Sequence, residues 1–169
     1  MIKKNPRRFF LAGGMAAVLS GCASKFRSYS GPEVTRIRLY KSDRLLVLDG
    51  SQGVLSTYPV GLGFSPTGHK QFEGDGRTPE GTYTIDRRNP NSLFHLSIGI
   101  SYPNEADIAF AKAQGQSPGG DIFIHGGPRW GIDPLNKRDW TAGCISVTDR
   151  QVEEVYAMVR DGTPIEIYA

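Results

Sequence analysis

The chain of 169 residues is short of the residue types that usually announce chemistry. It has two cysteines and three histidines. None of them stands at Cys-x₂-Cys or His-x₃-His spacing, which argues against a structural zinc site and leaves no metal to expect. The apolar run from Phe9 to Leu19 holds about ten residues, too few to cross a hydrocarbon core that needs about 20. There is no Gly-x-Ser-x-Gly elbow for a serine hydrolase. Gly61-x-Gly63 and Gly74-x-Gly76 lack the following Lys-Ser/Thr and the strand–helix setting of a phosphate cradle, so no cofactor is expected. Acidic residues are missing from the first 21 positions, which carry Lys3, Lys4, Arg7 and Arg8. Beyond them stand 16 basic and 17 acidic residues, a net charge of −1 against +3 for the whole sequence. The positive balance belongs to the N-terminus, and no basic face for nucleic acid is implied.

What the N-terminus does contain is a basic stretch, an apolar stretch and small residues, the order of an export signal. Leu19-Ser20-Gly21-Cys22 resembles the lipobox of bacterial lipoproteins, which implies cleavage before Cys22 and acylation of its sulfur. Arg7-Arg8-Phe9-Phe10-Leu11 resembles a twin-arginine motif, with Pro6 in place of the usual hydroxyl residue, so either export route is open. The expected organisation is a signal peptide over 1–21, a polar, turn-rich tether over 22–33, and one domain over 34–169. The expected location is the periplasmic face of the envelope. Ala23 and Ser24 after the lipidated cysteine point to the outer membrane.

The domain reads as strand-dominated α+β. Ile37 and Leu39 alternate with Arg36 and Arg38, and two apolar runs flank a turn at Asp49–Gly53, which predicts a hairpin. A strand is expected at Tyr83–Ile85. Another is expected through "SLFHLSIGISYP", with Phe94, Leu96, Ile98 and Ile100 on its buried face. One helix is expected over "NEADIAFAKAQGQ", with Ala106, Ala109, Phe110 and Ala113 on one side. A second begins at Thr148, where Gln151 completes a capping box. It places Val152, Val155, Tyr156 and Val159 on one face, and Gly162 ends it. A last strand runs through Ile165 and Ile167.

With Cys22 capped, Cys144 is a lone thiol in an exported protein, where a free thiol invites oxidation. Its presence suggests use, against the plainer reading of a buried, inert cysteine. A thiol attacks as thiolate and needs a base beside it. His69, in a loop beside Lys70, reads as solvated, and His95 as structural. His125 ends an apolar run and precedes Gly126 and Gly127, which would leave its imidazole unobstructed at a sheet edge. It is the candidate base. Gly143 lets a backbone approach closely, so N–H groups around Gly143 and Cys144 are candidate oxyanion donors. Trp140 is the candidate pocket wall, ahead of Trp130. Asp133 and Asp139 are candidates for orienting His125.

The segment "IFIHGGPRWGIDPLNKRDWTAGCISV" resembles the signature of the YkuD-type L,D-transpeptidases. That signature is a histidine and, after a spacer like the 15 residues between His125 and Thr141, Ser/Thr-His-Gly-Cys with an apolar residue behind it. Thr141, Gly143, Cys144 and Ile145 match one by one. "GDGRTPEGTY" and "YPVGLG" resemble two upstream segments of the family, so the likeness covers about residues 35–169. It implies an α+β, mainly β domain with a few helices. It also implies a Cys144 nucleophile, His125 as general acid/base oriented by a backbone carbonyl, and a site around Thr141, Gly143, Trp140, Gly126 and Gly127. The implied partner is a peptidoglycan stem peptide of the meso-diaminopimelate type. Two departures stand out. The family's histidine before the glycine is Ala142, and an arginine common two residues after the cysteine is Ser146. Asn89, Asn91 and the Trp140-Thr-x-Gly-Cys form resemble a murein-enzyme subgroup that holds both transpeptidases and a hydrolase.

Three readings therefore compete. The first is a transpeptidase that passes the acyl group to an amine, and it is the reading favoured here. The second is an L,D-endopeptidase or carboxypeptidase that passes the group to water. The third is a peptidoglycan-binding lipoprotein with a relic site.

Overall fold

The computed structural model describes residues 24–127 and 138–169. Its strands are β1 (Arg36–Tyr40), β2 (Leu45–Gly50), β3 (Gly53–Pro59), β4 (Gly81–Asn89), β5 (Ser97–Ile100), β6 (Phe123–His125), β7 (Ile145–Ser146) and β8 (Pro164–Tyr168), with helices α1 (Glu105–Ala113) and α2 (Asp149–Met158). The strands form one mixed sheet in the order β3-β2-β1-β8-β4-β5-β6-β7. Isolated bridges then join the two ends, because Gly61, just past β3, pairs with Ser146 of β7, and Gly63 pairs with Thr141. The sheet curls until its edges meet, which removes the open edge beside the thiol.

Glycine is required at that seam. A β-carbon on Gly61 would lie 2.2 Å from the Arg138 carbonyl oxygen, and one on Gly63 would lie 2.0 Å from that of Gly76. The Gly-x-Gly of this segment is thus a packing device.

β1 follows its sequence pattern, with Ile37 and Leu39 fully buried. Arg38 points outward and grips Asp49 of β2 with two N–H groups, at 2.6 and 2.7 Å. That grip holds the Asp49 carboxyl below its usual range. Leu46, Leu48, Ile85, Leu96, Ile98, Ile100, Ile124, Ile145 and Ile165 complete a dry interior. Each such side chain contributes about 1.5–3 kcal/mol on burial. α2 packs Val152 and Val155 onto it, and Thr148 and Gln151 form the reciprocal cap.

Three elements differ from expectation, the simplest being α2, which ends at Met158 with Val159 already extended as its C-cap, short of the Gly162 expected to end it. The run expected as one strand from Ser92 to Pro103 is a strand only over Ser97–Ile100, and that strand is buried on both faces. His95 interrupts it with φ +70°, a left-handed conformation costly for a side-chain-bearing residue. In α1 the side expected to pack is not the side that does. Asp107 and Ala111 are buried, while Phe110 is 45% exposed. Asp107 accepts hydrogen bonds from His69 and Tyr83 and caps the helix through the Asn104 N–H. An Ala-rich helix has little apolar stripe to decide its facing, so this polar anchor decides it. His69 is accordingly held by Asp107 and by the Glu80 N–H, and is not a solvated side chain.

Candidate active site

β6 and β7 run parallel, with His125 opposite Ser146. Cys144 lies two residues before Ser146, so the pleat turns its side chain to the same side as His125. On strand spacing alone their α-carbons are about 8 Å apart, diagonal neighbours on adjacent strands. Both line one cavity of about 280 Å³, walled also by Ser92, Leu93, Phe94 and Phe123. The structure thus brings together the two residues that the sequence left 19 positions apart.

Cys144 is half-buried and free of any disulfide. Its S–H donates to the Asp121 carbonyl at 3.4 Å, and the Phe123 N–H donates to the sulfur at 3.4 Å. Desolvation pushes the thiol pKa up, and the Phe123 N–H partly offsets this. His125 is 2% exposed. Its Nδ1 donates to the Gly126 carbonyl at 2.7 Å, which leaves Nε2 as the lone-pair nitrogen. Burial pushes its pKa down to about 4. Burial thus favours the neutral form of both groups, the thiol and the free imidazole. Sulfur and imidazole share no direct hydrogen bond, a common state of such pairs before substrate arrives.

The imidazole is boxed by aromatic rings. Phe94 lies 4.5 Å from it and Trp140 5.6 Å, edge-on. Trp140 thus packs edge-on against the base. Gly126 supplies the orienting carbonyl, and a β-carbon there would lie 2.5 Å from the Asp149 carboxylate. The Gly127 N–H donates to that same carboxylate at 2.8 Å, tying the strand end to α2. Asp139 pairs with Arg44 and the Leu62 N–H, away from His125. Asp133, Trp130 and Cys22 lie outside the described residues.

The turn before the thiol is rigid. Gly143 has φ +132°, and a β-carbon there would lie 2.6 Å from the Arg77 carbonyl oxygen. Thr141 Oγ1 donates to the Cys144 carbonyl at 2.6 Å and accepts from the Gly143 N–H at 3.2 Å. The Thr141 N–H donates to the Leu62 carbonyl. Of the expected oxyanion donors around Gly143 and Cys144, the Gly143 N–H is thus engaged in holding the turn, as is the Thr141 N–H. Among the described residues the Cys144 N–H has no such partner, and it is the donor left for a developing oxyanion. Ser146, where the family's arginine would stand, is fully buried, and its Oγ has no partner among the described residues.

Sequence reasoning missed Asp121, whose φ of +54° aims its carbonyl at the sulfur. It also took Phe94 for a core residue of a longer strand. The glycines at 119 and 120 were the available signal that the chain bends there.

Comparison with known proteins agrees with the motif. The model of the L,D-transpeptidase catalytic domain, YkuD, matches residues 35–167. YafK of Escherichia coli (strain K12), provisionally named an L,D-transpeptidase, is 29% identical over 129 residues, 73% of this chain and 46% of that protein. The crystal structure of the helical cell shape determining protein Pgp2 from Campylobacter jejuni is 25% identical with a TM-score of 0.61, covering 87% of this chain and 51% of Pgp2. Bd1075 of Bdellovibrio bacteriovorus is 26% identical with a TM-score of 0.58, over 80% of this chain and 48% of that one. An L,D-transpeptidase from Mycobacterium smegmatis, at 15% identity and a TM-score of 0.54, shares the fold. The chain spans about half the length of the first three of these. The match over nearly all of the described residues shows that this chain belongs to the YkuD L,D-transpeptidase catalytic domain family.

Proposed function

We propose that the chain is a cysteine-dependent L,D-transpeptidase that acts on peptidoglycan stem peptides through a thioester on Cys144. The observation that carries this is the shared cavity of Cys144 and His125, with the imidazole's proton fixed on Nδ1 by the Gly126 carbonyl. Substrate would bind with the carbonyl of meso-diaminopimelate over the sulfur. As the S–C bond forms, the thiol proton passes to Nε2, and the carbonyl oxygen gathers charge against the Cys144 N–H. Because burial favours the neutral form of both groups, proton transfer and attack are coupled within the same barrier. The imidazolium then protonates the departing nitrogen of the D-amino acid as the C–N bond breaks. An amine from a neighbouring stem, deprotonated by the freed imidazole, attacks the thioester and restores the thiol.

The N-terminal sequence, read as an export leader, supports a setting for this chemistry. Cys22 as a lipid anchor would hold the domain on the periplasmic face of the outer membrane, beside the wall. Conversion of Cys22 to Ala would then release an exported, soluble protein.

The test is incubation of purified protein with a disaccharide tetrapeptide, with products read by mass. A cross-linked dimer is the expected product. Loss of D-alanine without a dimer would make water the acceptor and the protein a hydrolase. Murein binding without any product would leave only a binding module.

A further inference from the structure

The family match begins at residue 35, but residues before it contact the loop that walls the cavity. Lys25 reaches across the chain and donates to two backbone carbonyls, Pro90 at 2.5 Å and His95 at 3.1 Å. Those carbonyls bracket the loop that supplies Ser92, Leu93 and Phe94 to the cavity. One ammonium group thus ties both ends of that loop. Arg27 makes a second attachment, to Glu153 at 2.8 Å. Glu153 in turn accepts from the His95 ring at 2.9 Å. Phe26 lies against Tyr156 of the same helix.

The tie falls where the backbone most needs it. His95 carries φ +70°, and such a residue keeps that conformation only when its surroundings hold it. Lys25 holds its carbonyl and Glu153 holds its ring. The next residue back, Phe94, gives its carbonyl to the Gly126 N–H at 3.0 Å and its ring to the His125 imidazole at 4.5 Å. Contacts run without a break from Lys25 through the loop to the candidate base. The Arg27 pair is partly exposed, and an ion pair of that kind holds little by itself. The two charge-assisted bonds of Lys25 are the stronger part.

We infer that Lys25 is a positioning residue of the active site, and that residues 24–29 act as a strap setting the Pro90–His95 loop, and through Phe94 the imidazole, in working geometry. This rests on the reading of Cys144 and His125 as the reacting pair. Sequence reading took the segment for a spacer, since nothing in a polar stretch signals a contact 65 residues away.

The experiment compares the full-length chain with Lys25→Met and Lys25→Arg. One readout is the rate at which a small iodoacetamide and a bulky maleimide alkylate Cys144, located by peptide mass. The other is KM and kcat on disaccharide tetrapeptide. Lys25→Met is expected to raise bulky-reagent alkylation relative to the small reagent about fivefold and to raise KM about fivefold, with kcat changing less. Its melting midpoint should stay within about 2 °C of the parent. Lys25→Arg, which keeps two donors, should restore all of these to within about twofold. Unchanged alkylation and KM in Lys25→Met would overturn the inference. So would changes that track lost thermal stability and are not rescued by arginine. If the parent turns over no stem peptide, the proposed function fails, and the alkylation ratio alone decides the strap.

Discussion

The two halves of the curled sheet are built on different terms. In β3-β2-β1-β8 the strands run five to seven residues, and in β1 and β2 apolar side chains face in while charges pair across the outside, as Arg38 does with Asp49. In β5-β6-β7 the strands run two to four residues, and almost every position is buried. The first half has one left-handed non-glycine residue, Arg44 in the β1–β2 turn, whereas two, His95 and Asp121, flank the second, and the buried atoms Ser146 Oγ and Trp140 Nε1, without a partner among the described residues, lie within or beside it. The first half is arranged for stability. The second tolerates strain and unpaired polar groups so that a thiol and an imidazole can face one cavity. Where local rules are broken, function is the usual reason.

This contrast can be broken most sharply by separating activity from stability. Cys144→Ala and His125→Ala should each lower turnover of stem peptide by about 10³-fold or more. Cys144→Ala should move the unfolding free energy by less than about 1 kcal/mol. Denaturant titration beside product assays reads both, and retained activity in either variant would remove the mechanism. Leu39→Ala, in the other half, should do the reverse. It opens a cavity beneath a fully buried strand and should cost about 2–5 kcal/mol, with turnover per folded molecule unchanged.

Acid should act through the second half. The folded chain holds His125 to about 4, against an ordinary value near 6.5, so between those values the unfolded chain binds a proton that the folded chain refuses. The stability that depends on this imidazole staying neutral is full above about pH 6.5 and is lost progressively as pH falls from there to about 4. The loss is on the order of 3 kcal/mol, and urea unfolding of the parent and His125→Gln across that range should show it in the parent only. The acid limb of kcat/KM should likewise lie nearer pH 4 than 6.5. The smallest effect is expected at Ser146. Removing its hydroxyl, which has no partner among the described residues, in Ser146→Ala should leave stability unchanged or raise it by up to about 1 kcal/mol, measured as a melting midpoint.

Much of the fold was legible where one local rule governs. Thr148 and Gln151 cap α2 as their spacing says, and Ile37 and Leu39 alternate into the core. That His125 and Cys144 would meet in one cavity was legible because a strand end and a close-packed glycine leave sequence marks. The rest depended on contacts distant in the chain. The break at His95 is held by Lys25 and Glu153, and the buried face of α1 is set by His69 and Tyr83 meeting Asp107. The engagement of the Gly143 N–H by Thr141 Oγ1 is a matter of turn geometry that residue identities alone do not give.

The most direct measurement is the intact mass of the full-length protein during reaction with a disaccharide tetrapeptide. The account predicts an acyl adduct that maps to the peptide bearing Cys144, forms with release of D-alanine, and is absent from the Cys144→Ala and His125→Ala variants. Turnover without any adduct on that sulfur, or an adduct on another residue, would contradict it.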